Sequence, residues 1–400
     1  MSATADPRLV NPRPAPKKRL RLSWSDPAFR AIIWQILVLG VVGGILAILI
    51  GNTNRNLAAR HIATGFAFLW RTAGIPIGEA MIPYDTSSTF FRALLVGLLN
   101  TIRVSVAGIV LATILGTLVG IAQLSRNWLL SRVAGAYVEL FRDIPVLLQL
   151  LFWYALLQGL PGPKQALHLG GAVLSNRGIR LPVLAWDSAY GWAILAFLAA
   201  CVVVWLLGRR ASRIQAATGR RPATLWASLA LLIGAPVVVW AALGAPHALS
   251  VPELRGFNFQ GGLLLSPEFS ALLLGLVVYT AAYIAEVVRS GIVAVPRGQS
   301  EAAEALGLHR GRVLRLIVLP QALRVIIPPL TSEYLNLTKN SSLAVAIGFQ
   351  DIVSIANTTL NQTGQAIEGI FIIMVVYLTI SLSISALMSW YEARIALVTR

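Results

Sequence analysis

Residues 301–320 read EAAEALGLHRGRVLRLIVLP and connect two long apolar runs, at 269–293 and 321–348. The first six residues of this stretch are strong helix formers. Gly307 then suits the left-handed backbone conformation that often ends a helix, because glycine has no side chain to clash there. The sequence therefore predicts a first short helix that ends at Gly307.

The second half of the stretch predicts another short helix. Arg310 to Ile317 mixes basic and apolar residues, and Pro320 opens the next apolar run, where its missing N–H costs no hydrogen bond. Together the two halves predict an amphipathic helix–turn–helix joined directly to two apolar helices. On pattern alone, such an element could also be a solvated loop or a helix on a lipid surface.

Composition and hydropathy place most of the chain in a membrane. The 400 residues are 56% hydrophobic and 12% charged, against about 25% charged in soluble domains, and the mean hydropathy is +0.73. A membrane-crossing helix needs about 20 apolar residues. The predicted spans are 30–51, 92–123, 133–158, 189–207, 224–244, 269–293, 321–348 and 367–391. The predicted fold class is an all-α polytopic membrane protein with about eight transmembrane helices.

Basic residues near the span ends predict the orientation. Basic clusters lie before the first span, at 126–132, at 209–221, at 297–315 and at the C-terminus. They alternate as eight spans with both termini in the cytoplasm require. The net charge of +17 is thus confined to short clusters between apolar runs, which is typical of a membrane protein and argues against nucleic acid as a partner.

The N-terminal region precedes the first span. Residues 1–29 are Pro-rich and basic and are predicted to form a disordered cytoplasmic tail. Residues 30–51 are too long for a signal-peptide core and are predicted to be an uncleaved membrane anchor. In the second span, small residues recur every four positions, which predicts close packing against another helix of the same chain. They are Gly108, Ala112, Gly116 and Gly120.

Polar residues at membrane depth are costly and usually face a cavity or a partner. Two such groups are candidates for a substrate pathway, one in each of the apolar runs that flank residues 301–320. The candidate residues are Tyr283, Glu286 and Arg289 in the first run, and Glu333, Asn336, Lys339 and Asn340 in the second. Both charge signs are present, which suits a solute that carries one positive and one negative group. Glu286 and Arg289 are also spaced as an intrahelical ion pair, so pairing and substrate contact both stay open.

No catalytic machinery is visible in the sequence. None of the four lysines follows a glycine, which rules out a phosphate-binding loop of the Gly-x-x-x-x-Gly-Lys type. No His-Glu-x-x-His or Gly-x-Ser-x-Gly motif occurs. The chain is therefore predicted to be a non-enzyme with no cofactor and no metal site. If this chain takes part in an ATP-driven process, another polypeptide must hydrolyse the ATP.

The 301–320 stretch resembles the signature of ATP-binding-cassette (ABC) importer permeases: EAA, three residues, G, nine residues, I-x-LP. The matching positions are Glu301, Ala302, Ala303, Gly307, Ile317, Leu319 and Pro320. In that family this coupling loop docks into a groove on the ATP-hydrolysing subunit and transmits its closure to the spans. The resemblance therefore implies separate ATPase subunits as partners of residues 297–320.

The flanking sequences resemble the polar amino-acid branch of these permeases. They are FRDIPVLLQ at 141–149, AYIAEVVRSGI at 282–292 and LTKNSSL at 337–343. The resemblance implies import of amino acids across a bacterial inner membrane, a periplasmic amino-acid-binding protein, and a second homologous permease subunit. A homodimer is the alternative to that heterodimer.

The resemblance also implies a domain organisation. Residues 92–158 and 269–391 would form the two parts of a type I importer core of five helices, with the coupling loop at 297–320. Residues 160–268 would be inserted loops with two extra transmembrane helices. Two other classes compete with this interpretation. An ion-coupled secondary transporter would need paired interrupted helices, and only the seventh span is interrupted. A membrane-embedded enzyme would need a catalytic set.

Overall fold

The computed structural model describes residues 27–59, 64–219 and 222–395. Most of the predicted N-terminal tail and the extreme C-terminus lie outside the described residues. The α-helices are, in chain order, α1 (Pro27–Ala59), α2 (Phe90–Gln123), α3 (Trp128–Asp143), α4 (Val146–Gln158), α5 (Ser188–Thr218), α6 (Leu225–Ala242), α7 (Pro267–Val293), α8 (Arg297–Ala305), α9 (Arg310–Val313), α10 (Leu319–Asn340), α11 (Ile352–Thr363) and α12 (Ala366–Ile395).

Two units divide the chain, one at residues 1–66 and one at residues 67–400. The first contains α1, an apolar helix whose residues 29–53 are long enough to cross a membrane. The second contains all the other helices and every strand. In the described ranges, seven helices are long and apolar enough to span a membrane, or eight if the bent pair α3–α4 is one span. The predicted class of polytopic helical membrane protein is confirmed.

The described residues also contain short strands, which the sequence analysis did not predict. They are β1 (Leu167–Leu169), β2 (Ala172–Ser175), β3 (Gly178–Leu181), β4 (Val183–Leu184), β5 (Leu249–Ser250), β6 (Glu253–Arg255), β7 (Asn258–Gln260) and β8 (Leu263–Leu265). β1, β2, β3 and β8 form an antiparallel sheet in that order, and β4 pairs with β5 and β6 with β7. Because β3 pairs with β8, the loops before α5 and after α6 lie together on one side of the membrane.

The third span was predicted as one helix over 133–158, and this was wrong. α3 and α4 meet at a bend of 104°. Pro145 is the physical reason, because the residue before a proline avoids the helical region. Ile144 is accordingly extended, with φ −89° and ψ 124°. The amide of Gln149 donates to the carbonyls of Phe141 and Ile144, both at 2.9 Å, and so satisfies acceptors that the bend leaves free.

The core lies between α2 and α7, where the predicted stripe of small residues allows close approach. A Cβ on Gly116 would lie 2.7 Å from Ile284, and one on Gly120 would lie 2.6 Å from the carbonyl oxygen of Ala285. Atoms cannot pack that closely, so only glycine fits at both positions. The prediction that this stripe packs within the chain is confirmed.

Candidate functional site

The coupling loop (residues 297–320) begins with α8, whose last residue is Ala305, and Gly307 closes the turn after this helix as predicted. Gly307 has φ +78°. Its N–H donates to the carbonyl of Glu304 at 2.9 Å, and the N–H of Leu308 donates to the carbonyl of Ala303 at 3.1 Å. These two bonds form a Schellman motif, which fixes how the chain leaves the helix. The turn is therefore stiffened by its own backbone.

Side chains also hold the two arms of the coupling loop together. Ala303 on α8 and Val313 on α9 are both buried. Arg310 approaches Glu304 at 3.9 Å, an exposed pair that contributes little. Leu306, at the tip, is 83% exposed. A large apolar side chain held in water on a stiff turn suits a contact with another protein.

The sequence predicted that the second helix of the loop would be a separate short helix, but the structure joins it to the seventh span. α9 continues through a π-helical turn (Leu314–Val318) into α10, and the N–H of Leu319 donates to the carbonyl of Leu314 five residues earlier. The wide turn precedes Pro320, whose ring would clash with a carbonyl in a regular α-helical turn. The part of the coupling loop that begins at Arg310 and the seventh span therefore form one continuous helical rod.

A groove of about 390 Å³ runs beside α8. It is lined by Ile292 and Val295 at the end of α7, by Ser300, Glu301 and Glu304 along α8, and by others nearby. Glu301, the first residue of the signature, thus borders an open groove, while Ala303 packs inward. Among the signature positions, Ala302, Ile317 and Leu319 lie along the surface of the loop or are partly buried.

The first group of predicted pathway residues contains the ion pair that its spacing allowed. Arg289 donates to both carboxylate oxygens of Glu286, at 2.6 and 3.0 Å. Two parallel bonds of this kind hold a guanidinium and a carboxylate in one geometry. The hydroxyl of Tyr279 donates to that of Tyr283 at 3.3 Å on the same face of α7.

Arg142, on α3 beside the bend, joins this group. Its guanidinium lies 5.2 Å from the ring centre of Tyr283, and it is close enough to both Glu286 and Glu333 to interact with their charges. A cavity of about 350 Å³ opens between α3 and α7, lined by Glu139, Arg142, Glu286 and Arg289 among others. The structure thus places both charge signs around one cavity, to which Arg142 contributes from α3.

The second predicted group lies on α10. Glu333 and Asn340 are partly buried, and Asn336 and Lys339 are exposed. Within the described ranges, no hydrogen bond or ion pair joins these four side chains to Tyr283, Glu286 or Arg289. The two groups make no direct contact of this kind, but Arg142 lies close enough to both Glu286 and Glu333 to interact with their charges.

A clamp that the sequence did not predict closes the opposite end of the core. Glu79, in the loop before α2, accepts from Arg103 at 2.7 Å and from the backbone N–H of Ser266 at 2.9 Å. The guanidinium of Arg103 also lies 4.0 Å from the ring centre of Phe269. The clamp (Glu79, Arg103 and Ser266) ties α2 to the start of α7. The only signal in the sequence was Arg103 itself, a charge in an apolar run.

Residues between α10 and α11 complete this end. Asn100 on α2 donates to the backbone carbonyls of Glu79 and Gln350, both at 3.0 Å. Asp351, which is 1% exposed, caps α11 by accepting from the N–H of Ser354 at 2.8 Å. Burial raises the pKa of Asp351 to about 7. In the part of the chain that the structure describes, no cluster of His, Cys, Asp or Glu could hold a metal ion.

This arrangement defines a class: a polytopic membrane permease whose spans are joined by a stiff loop at one face. The sequence model for binding-protein-dependent transport system inner membrane components matches residues 206–397. The chain is 48% identical over 382 residues to the general L-amino acid transport system permease protein AapQ of Rhizobium johnstonii, covering 95% of this chain and 96% of that protein.

A second relative matches the chain over a similar length. The glutamate/glutamine/aspartate/asparagine transport system permease protein BztB of Rhodobacter capsulatus is 44% identical over 421 residues, covering 96% and 98% of the two chains. A crystal structure of an amino acid ABC transporter with histidines is 21% identical, covers 76% of this chain and 95% of the other, and gives a TM-score of 0.46. The chain belongs to the family of binding-protein-dependent transport system inner membrane components and is a multi-pass membrane permease.

Proposed function

We propose that this chain is one of the permease subunits of an ABC importer that moves amino acids from periplasm to cytoplasm, powered by separate ATPase subunits. The observation that carries the proposal is the coupling loop, which matches the family signature and ends α8 in a Schellman turn at Gly307. The names of the two relatives, both amino-acid transport permeases, support the substrate class.

Cross-linking tests the proposed docking of the coupling loop. Cys201 is the only cysteine, so Cys201→Ser provides a cysteine-free background. Leu306→Cys, at a position 83% exposed, should cross-link to the ATPase subunit in the assembled complex. Phe257→Cys, at a position 76% exposed in the turn between β6 and β7, is the matched control. Cross-linking to the ATPase subunit from position 257 and not from position 306 would contradict the proposal.

The proposed orientation puts the coupling loop and both termini in the cytoplasm. Basic clusters at 126–132, 209–221 and 297–315 support it, because positive residues are enriched on that side. The pairing of β3 with β8 supports it as well, since the two loops that flank the α5–α6 hairpin share the other side. In this topology 92–158 and 269–391 form the permease core, and 160–268 is an insertion. Labelling of Phe257→Cys by a membrane-impermeant thiol reagent in intact cells is the expected result.

A second permease subunit is proposed to cover the polar face of α10. Asn336 and Lys339 are exposed in this chain although they lie in a span. A charged side chain costs about 2.5 to 3.5 kcal/mol at the bilayer centre, so lipid is a poor neighbour for Lys339. A homologous subunit packed around this face would create a polar pathway lined by Glu333, Asn336, Lys339 and Asn340. Chain counting on the purified complex distinguishes a heterodimer from a homodimer.

Uptake by proteoliposomes tests the transport role and these residues together. The complex should accumulate labelled amino acids only when ATP and a periplasmic amino-acid-binding protein are both present. Lys339→Met should reduce uptake about tenfold or more, whereas Lys164→Met, the same substitution at an exposed position outside the candidate spans, should leave it close to wild type. Uptake driven by a proton or sodium gradient without ATP would refute the proposal.

A further inference from the structure

The α5–α6 hairpin has most of its surface free to meet lipid. The two helices pack mainly against each other. The buried residues of α5 are Ala189, Ala200 and Ala211, and α6 has none. Both helices are apolar enough to span a membrane. Their large side chains therefore point outward, where a bilayer satisfies them.

Tryptophans mark where this hairpin meets the two membrane surfaces. Trp205 on α5 and Trp226 at the start of α6 lie toward the end that residues 219–224 connect, and Trp192 lies toward the other end. All three are more than half exposed. Tryptophan is enriched at membrane–water interfaces. At about 1.5 Å per residue, a hydrocarbon core about 30 Å thick takes up about 20 residues counted from Ser188, so the last part of α5, after about residue 208, continues past the interface as an exposed helix.

A cluster of arginines begins one helical turn after Trp205, and the surrounding sequence contains no acidic residue that could pair with it. The sequence from Ser188 to Pro252 contains five arginines and no aspartate or glutamate. Arg209, Arg210 and Arg213 are exposed, and Arg213 lies three residues after Arg210 and four after Arg209, so its side chain can neighbour both on one side of α5. None forms an ion pair within the described residues. The guanidinium of Arg209 lies 4.2 Å from the ring centre of Trp205, which holds it at the interface.

We infer that Arg209, Arg210 and Arg213 form a binding site for the phosphate of an anionic phospholipid headgroup. A guanidinium presents a planar fork of donors that matches phosphate oxygens. Each basic residue near an anionic membrane surface is attracted to it by about 1 kcal/mol. A lipid suits the site better than an acidic protein surface, because the arginines begin one turn beyond a face that is already lipid-exposed.

The site lies on the same side of the membrane as the coupling loop. α6 and α7 cross the membrane in succession between residue 224 and residue 297, so the two connections share a side. A headgroup held there would fix the depth of a hairpin that the core itself does not grip. This role is separate from amino-acid transport and does not depend on the proposed ATPase contact.

Native mass spectrometry of the purified full-length protein tests the site with phosphatidylglycerol as the probe and phosphatidylcholine as the neutral comparison. The wild type should retain phosphatidylglycerol preferentially. Arg209→Gln/Arg210→Gln/Arg213→Gln should weaken that preference about 100-fold, at roughly a factor of five for each guanidinium near the surface. The matched control is Arg71→Gln/Arg177→Gln/Arg255→Gln, which removes the same charge from exposed positions on the opposite side.

The control variant should bind phosphatidylglycerol as the wild type does. Equal losses in both triple variants would show a bulk charge effect and overturn the inference, as would an unchanged preference in the α5 variant. Displacement of the lipid by inorganic phosphate would also overturn it, because the site would then recognise free phosphate. If the α5 variant kept its lipid but lost co-purification of the ATPase subunit, the cluster would be a protein contact. Equal elution profiles in phosphatidylcholine confirm that all variants are folded.

Discussion

Substitution of Gly307 tests whether the shape of the coupling loop matters. Gly307 has φ +78°, and a Cβ built there meets no atom within 4 Å. A side chain therefore costs nothing in packing, and the whole penalty is conformational. A non-glycine residue in the left-handed region costs about 1 to 2 kcal/mol. Escape from that region would break the two backbone bonds of the turn, at about 1 kcal/mol each.

Either response lowers the population of the native turn by a factor of about 5 to 30. Gly307→Ala should reduce amino-acid uptake per ATP hydrolysed by about tenfold in proteoliposomes that contain the assembled complex. Gly307→Val should reduce it further, because β-branched residues are rare at positive φ. Membrane insertion should be unaffected.

Gly298 provides the matched control in the same loop. It lies in α8, a Cβ there also meets no atom within 4 Å, and its φ is not positive. Gly298→Ala should leave uptake per ATP unchanged and stabilise α8 by up to about 1 kcal/mol. Equal effects at the two glycines, or normal coupling in Gly307→Val, would refute the idea that the left-handed turn transmits the motion.

Three further predictions concern the clamp, the α11 cap and the π turn. Arg103→Met should lower the thermal unfolding midpoint in detergent, because it strands the mostly buried Glu79 carboxylate at a cost of about 3 kcal/mol, and adding Glu79→Gln should recover part of the loss. Burial raises the pKa of Asp351 to about 7 from 3.8, so between these two values the folded state binds a proton that the unfolded state does not. The contribution of Asp351 to thermal stability should therefore be highest in acid and be lost as the pH rises through about 7. Asp351→Asn should flatten that profile. Pro320→Ala should let the π turn close into a regular helix, rotating α9 by about 100° relative to α10, and uptake per ATP should fall without loss of stability.

Each of these predictions has an outcome that contradicts it. An Arg103→Met/Glu79→Gln variant no more stable than Arg103→Met would mean that the clamp is not a coupled pair. A pH profile that keeps its slope in Asp351→Asn would assign that slope to another group. Full coupling in Pro320→Ala would show that the angle between the coupling loop and α10 is not set by the proline.

Hydropathy predicted the long helices well because each must bury about 20 apolar residues in lipid whatever its neighbours are. α2, α7 and α12 accordingly begin and end within a few residues of the predicted limits. The same argument missed the bend at Pro145. The mean hydropathy of residues 133–158 measures how apolar the segment is and carries no information on where its backbone bends. Pro145 was the one residue in that segment that indicated a break in the helix.

The strands were missed for a related reason. Gly170 and Gly171 connect β1 to β2 with both φ values positive, which is a strong hairpin signal when short apolar runs flank it. Two- to four-residue strands are too short for periodicity to reveal. The partner of Arg103 could not be predicted either, because Glu79 lies 24 residues away in a loop that has no repeating pattern.

Residues 310–340 form one helical rod that connects the coupling loop to the polar residues of α10. From Arg310 to Asn340 the backbone stays helical through the π turn, so a displacement of the coupling loop must tilt or shift the polar face of α10. After Asn340 the chain continues through a short 3-10 helix (Ser341–Ile347) to Gln350. There the side chain of Asn100 donates to the carbonyl of Gln350, and Thr101 accepts from the N–H of Ile352. A rod that is held at one end and displaced at the other rotates about the held end. Glu333 and Asn336 lie in the last quarter of this rod, near the held end, so we expect a displacement of the coupling loop to change their tilt more than their position.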